Sequence, residues 1–180
     1  MIKLRADVSI TQLQLKHANN LYQWVCDPAI AVAIGLSHAP SLEYTLEWIQ
    51  NSLDDPLISA YALIHNQLHV GNIVLDRVDR YLKTARLSVY VGTPSLRGLG
   101  VGTTGIYYAL LDGFEKFDLH KVWLTVHINN QAAVKAYTKL NFKIEGTLRD
   151  EFLIEGHRLA AYYMGLLRNE FDELTIRARI

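Results

Sequence analysis

A chain of 180 residues, half of them apolar, has the size of one domain and buries roughly two-thirds of its unfolded surface on folding. Its 18 Lys and Arg balance 18 Asp and Glu, which excludes the basic footprint of a nucleic-acid surface or of an anionic-membrane patch. A lone cysteine, Cys26, excludes an internal disulfide and a four-ligand zinc site, and reads as a buried structural thiol of a reducing compartment.

No apolar run approaches the ~20 residues of a membrane helix, and the N-terminal MIKLRADVSITQ lacks the apolar core of a secretory signal. The expectation is a soluble cytoplasmic protein, a single domain over residues 1–180. After a first strand, Ala18, Leu21, Tyr22 and Val25 recur at helical spacing until Asp27-Pro28 closes the pattern. Ser41 is placed to cap a second helix with Leu42, Leu46, Ile49 and Leu53 on its apolar face, which Asp54-Asp55-Pro56 ends.

The rhythm then changes to period two. Ile58, Ala60, Ala62 and Ile64 share one face, Asn66-Gln67 makes a turn, and a second strand runs from His69 to Val78. Past a turn at Arg80 to Thr84, Ala85, Leu87, Val89 and Val91 form a third strand of the meander. Ile106, Leu110, Phe114 and Phe117 mark a helix from Val101, and Val122, Leu124 and Val126 the strand that follows it. Ala133, Ala136, Tyr137 and Leu140 mark a shorter helix, and two strands, about 142–149 and 159–167, close the chain; the tail after Arg168 stays unassigned. This order predicts an α/β protein with a mixed, α+β-type sheet: mostly antiparallel, one parallel strand-helix-strand crossover, helices on both faces.

Between the third strand of the meander and its helix lies Arg97-Gly98-Leu99-Gly100-Val101-Gly102-Thr103-Thr104-Gly105. Glycines here free the backbone to take positive φ and approach a ligand, the helix N-terminus offers N–H groups to an anion, and Arg97 can add a charged contact to a phosphate. Gly100-x-Gly102-x-x-Gly105 matches a dinucleotide fingerprint, but Val122 to His127 ends in no acidic residue for a ribose, and three strands precede the loop where that motif follows the first. No Gly-Lys-Ser/Thr follows for a Walker loop.

Arg97-x-x-Gly100-x-Gly102 resembles the phosphate loop, Q/R-x-x-G-x-G/A, of the GNAT superfamily of acetyl-CoA-dependent N-acetyltransferases. A second feature of that family stands downstream: the strand Val122 to Val126, then Asn130-x-x-Ala133-x-x-x-Tyr137, then Leu140-Asn141-Phe142. The chain looks most similar to the RimJ/RimL-like branch, in its Trp48-Ile49 helix, its Leu119-His120-Lys121-Val122 strand entry and its Glu145-Gly146-Thr147-Leu148-Arg149 segment.

The resemblance implies acetyl-CoA as cosubstrate, no metal, and direct transfer of acetyl to a primary amine in a ternary complex. It places backbone groups of Val89 and Val91 against the pantetheine, Gly98, Leu99, Gly100, Val101 and Gly102 around the diphosphate, and Asn130 beside the pantetheine. Tyr137 is implied as the acid for the leaving thiolate, although it also continues an apolar helix face. Thr125 stands where the family often has a glutamate base, leaving Asp76, His127 and Glu43 as candidates, or a chain of waters. Asn141 replaces a family glycine, and asparagine tolerates the left-handed conformation.

The resemblance leaves the acceptor open between a protein N-terminal amine, a nucleotide-linked aminosugar and a polyamine, and it adds a homodimer as an expectation. A non-catalytic acyl-CoA-binding domain is the contrasting class. The first two helices, the turn at Arg80 to Thr84 and the hairpin at Glu155-Gly156-His157 are expected to rim the acceptor side.

Overall fold

The structure is a computed structural model that describes residues 4–36, 38–154 and 156–172. Its strands are β1 (Val8–Gln12), β2 (Ser59–His65), β3 (Leu68–Asp79), β4 (Thr84–Val91), β5 (Lys121–His127), β6 (Lys143–Ile154) and β7 (His157–Leu167). Helices α1 (Ala18–Val25), α2 (Pro28–Ala33) and α3 (Leu42–Asp54) follow β1, while α4 (Val101–Lys116) joins β4 to β5 and α5 (Gln131–Lys139) joins β5 to β6. The seven strands form one sheet in the order β1-β2-β3-β4-β5-β7-β6, antiparallel except for the β4–β5 pair. That is the mixed sheet expected from the element order, its one parallel contact spanned by α4.

The β2–β3 turn needs left-handed backbone at both Asn66 (φ 47°) and Gln67 (φ 65°), which matches the right-handed twist of the strands it joins. Strand β2 is buried on both faces and divides the interior. Tyr61 and Leu63 join one core with Ile73, Leu87, Ile106, Leu110 and Phe114 under α4, whereas Ala60 and Ala62 join Leu21, Val25 and Ile49 under α1 and α3. Helices thus cover both faces.

Local signals set most boundaries. Ser41 Oγ accepts a hydrogen bond from the Tyr44 N–H at 3.1 Å and starts α3 as expected. Asp27-Pro28 ends α1, but the same pair starts α2, which sequence reading does not anticipate: Asp27 Oδ1 caps the Ala29 N–H at 2.9 Å with Pro28 in the first turn. The face of α3 is also corrected. Thr45, Ile49 and Ser52 are buried, while Leu42 and Leu46 are each 37% exposed, because the helix turns its smaller side chains to the sheet. Cys26 caps α1 and is half-buried, not buried. Beyond Arg168, Phe171 is buried and stacks on Phe114 at 5.0 Å, so the unassigned tail closes the core beneath α4. Among the described residues no helix is long and apolar enough to cross a membrane.

Candidate active site

Strands β4 and β5 pair only over Thr84–Lys121, Ala85–Val122 and Arg86–Trp123, after which they part. The hydrogen bonds show which way the separated stretch of β4 faces. The Gly92 N–H donates to the Val70 carbonyl at 2.8 Å, so Val91, opposite Gly71, is in a non-hydrogen-bonded position of the β3–β4 ladder. By the same alternation Val89, opposite Ile73, also turns its N–H and C=O away from β3 and into the gap beside β5. Their side chains pack partly buried against the core under α4.

The loop that follows bends where the glycines allow it. Gly98 (φ 76°) and Gly100 (φ 82°) are left-handed, and Gly100 caps α4 without a side-chain hydrogen bond. The first N–H groups of α4 are therefore left for a ligand, at the positive end of its dipole. A Cβ on Gly102 would stand 3.3 Å from Val91 Cγ2, so glycine lets the start of α4 close on the end of β4. Leu99 and Arg97 are exposed, and Val101 is fully buried. Arg97 is tethered to the strand end, donating from Nε to the Val91 carbonyl at 2.9 Å.

Sequence reasoning misses Arg5, which braces this loop from behind. Its Nη1 donates to the Leu99 carbonyl at 3.1 Å, and its backbone N–H donates to Thr104 Oγ1 at 3.2 Å. Asp7 holds the guanidinium by two contacts, at 3.0 and 2.6 Å, and His65 adds a third contact to Asp7 at 3.1 Å. No local pattern around Arg5 signals a partner 94 residues away.

Asn130 caps α5, its Oδ1 accepting from the Ala133 N–H at 3.1 Å, so a helix cap is a role the structure gives it directly. Tyr137 lies on the buried face of α5 with its ring 5.8 Å from Phe142, and burial pushes its phenol up to about 12. Asn141 adopts the left-handed conformation expected of it, φ 66°. His127 and Thr125 point to the same side of β5, opposite the buried Val122, Leu124 and Val126. The buried Nδ1 of His127 has no hydrogen-bond partner, and burial holds the imidazole below its ordinary pKa.

The other two candidate bases are placed differently. Asp76 is bound by Arg86 through two contacts, 2.8 and 2.6 Å, and Glu43 is exposed in the first turn of α3. Asp76 and Arg86 lie on the floor of a cleft of about 200 Å³ between the sheet and helices α1 to α3, with Trp48 and Tyr44 on its walls and Ser88 and Tyr90 of β4 beneath. Leu21 and Val25 of α1 and Tyr44, Thr45 and Trp48 of α3 thus border a cleft, no residue of the Arg80 to Thr84 turn lines it, and Glu155 of the expected hairpin rim lies outside the described residues. No group of three or more His, Cys, Asp or Glu able to hold a metal occurs among the described residues.

A sheet that parts beside an uncapped, glycine-rich helix start is the arrangement that the sequence resemblance implies, and the family profile agrees. The acetyltransferase (GNAT) domain matches residues 7–143, and the chain belongs to that family. Among curated relatives, the spermidine N(1)-acetyltransferases of Escherichia coli (strain K12) and Vibrio cholerae are each 29% identical, over 101 and 102 residues. Those matches cover 56% and 57% of this chain and 54% and 58% of the relatives, so the chain spans little more than half the length of the curated relatives it matches.

Among solved structures, the spermidine N-acetyltransferase of Vibrio cholerae in complex with CoA and spermine superposes with a TM-score of 0.86 at 21% identity, over 93% of this chain and 99% of that one. RimL, a ribosomal L7/L12 α-N-protein acetyltransferase in complex with CoA, superposes with a TM-score of 0.80 at 14% identity, over 92% of this chain and 97% of that one. These likenesses establish the fold.

Proposed function

We propose that this protein is an acetyl-CoA-dependent N-acetyltransferase that acetylates a primary amine directly, in a ternary complex. The observation that carries this reading is the gap between β4 and β5, into which Val89 and Val91 turn backbone groups that β5 does not pair, beside the uncapped start of α4. An extended amide-bearing chain adds to such an edge as a strand would, and a diphosphate fits N–H groups at a helix start. Val89 and Val91 would hold the pantetheine. Gly98, Leu99, Gly100, Val101 and Gly102 would hold the diphosphate, Arg97 would pair with a phosphate oxygen, and Asn130 would border the pantetheine through its amide nitrogen.

Acetyl-CoA supplies an acyl group already activated as a thioester. The chain's own residues handle the protons. Burial keeps Tyr137 protonated far above neutral pH, so its Oη holds a proton for the departing thiolate. His127 is the best placed of the three bases: it stands on the part of β5 that has left β4 and stays neutral at pH 7, whereas Asp76 is engaged by Arg86.

Thermal melting with and without acetyl-CoA is the first test, with NAD and ATP as controls. A ligand that binds only the folded state raises the midpoint, and a rise with acetyl-CoA alone supports the cradle. Release of free thiol with an amine panel then tests turnover. Loss of turnover in Tyr137→Phe with the acetyl-CoA shift retained supports the acid assignment, and intact turnover removes it. A rise in midpoint without turnover of any amine leaves the non-catalytic acyl-CoA-binding domain. Polyamines and protein N-termini, the acceptors named for the similar proteins, both belong in the panel. The expected homodimer is checked by light scattering, and a spermidine N-acetyltransferase of Vibrio cholerae has been seen as a dodecamer.

A further inference from the structure

The cleft over β3 and β4 carries information about the acceptor, and the inference rests on the acetyl-transfer reading above. Its floor includes Ser88 and Tyr90, the side chains of the same separated stretch of β4 whose backbone faces the gap. An amine seated there reaches the gap from the side opposite α4. The walls are apolar: Leu21 and Val25 of α1, Ile34 and Leu36 after α2, and Trp48 of α3.

The charges on the floor of the cleft cancel. Asp76 and Arg86 are the charged residues lining the cleft, and they face each other in register across β3 and β4, joined by both prongs of the guanidinium. One step along the sheet Glu145 is paired with Lys121, beside the stacked rings of Trp123 and Tyr163 at 5.3 Å. Two further polar groups are engaged internally: Tyr90 donates to Asn72 Oδ1 at 2.9 Å, and Thr45 donates to the Ser41 carbonyl at 2.9 Å. A polycation bound here would leave its second ammonium among described lining residues that offer it no free carboxylate, which is costly. The volume, about 200 Å³, compares with an apolar cavity of about 150 Å³ that takes a benzene ring.

We propose that the acceptor is a monoamine whose apolar body, one ring or a short branched chain in size, seats in this cleft with its amine toward the gap between β4 and β5. The Asp76–Arg86 pair sets the preference by leaving the floor without net charge.

The test compares kcat/KM of the full chain for phenethylamine, isoamylamine, spermidine and a short peptide with a free N-terminus, beside the acetyl-CoA melting shift. The expected result is a preference of about tenfold or more for a monoamine over spermidine, equivalent to roughly 1.4 kcal/mol. Arg86→Gln leaves Asp76 unbalanced, and the ratio should move toward spermidine by a similar factor. A wild-type preference for spermidine or the peptide, or no turnover of either monoamine while acetyl-CoA still raises the midpoint, overturns the acceptor assignment and leaves the cosubstrate reading standing. A folded Arg86→Gln variant with an unchanged ratio also overturns it. No shift with acetyl-CoA and no thiol release with any amine would remove the cosubstrate reading itself.

Discussion

On the face that carries α4, helix and sheet meet at glycine distance: a Cβ at Gly105 would collide with Leu63 and Ile73, and one at Gly113 with Leu75. On the other face α1 to α3 stand off the same strands and leave a cleft of about 200 Å³, with Leu42, Tyr44 and Leu46 partly in solvent. The closer face holds the start of α4 and the glycine loop, where a fixed cradle for one cosubstrate is useful. On the proposed reading the open face is where an acceptor enters, and a loosely covered surface can change its side chains without disturbing the face that carries α4.

The largest break in that contrast should come from Phe114→Ala. Phe114 is 2% exposed under α4, and its truncation should cost about 3–5 kcal/mol in denaturant unfolding. Tyr137→Phe lies in the same core but keeps the ring, so stability should change little while kcat falls roughly 10²–10⁴-fold in a thiol-release assay. Gly105→Ala should lose about 1–3 kcal/mol through crowding, partly offset by alanine's helix preference of about 1 kcal/mol. A net gain in its melting midpoint would show that the α4 face is looser than its contacts imply.

The open face should be the more sensitive to acid. His69 packs against His17 at 4.6 Å and Trp24 at 4.8 Å, with both ring nitrogens buried and without partners. Burial, helped by the nearby His17, holds it at about 4, against an ordinary 6.5. Between those values the unfolded chain binds a proton that the folded His69 refuses, so stability falls as pH drops from 6.5 toward 4 and is unaffected by this group above 6.5. Melting at pH 7 and pH 5 should show a drop of roughly 2–4 °C for each kcal/mol lost, and His69→Gln should flatten it. The smallest effect belongs to Leu46→Ala on the exposed side of α3, expected within about 0.5 kcal/mol of wild type by the same unfolding assay.

Much of the site is legible in the chain because its signals are short. The Ser41 cap, the period-two strands and the left-handed Gly98, Gly100 and Asn141 each depend on a few neighbouring residues, and the structure reproduces them. Where the local signal carries two meanings, the reading fails: Asp27-Pro28 is both a helix stop and a helix start. Where packing chooses between two faces of one helix, propensity is silent, and α3 buries Thr45 and Ser52 in preference to Leu42 and Leu46. Tyr137 is recognisable by its place in a motif, but only burial in the assembled core raises its pKa.

From its own residues, the chain determined a mixed sheet with a glycine-rich loop opening α4, since steric freedom at glycine and hydrogen bonds at a helix start act within a few residues. Tertiary structure alone decided that Arg5 braces the Leu99 carbonyl, that β4 leaves β5 after Arg86, and that Asp76 meets Arg86 so the cleft floor carries no net charge. These depend on strand register and on contacts between distant segments, where pairing is chosen by the geometry of the whole sheet and not by the identity of a residue's neighbours in the chain.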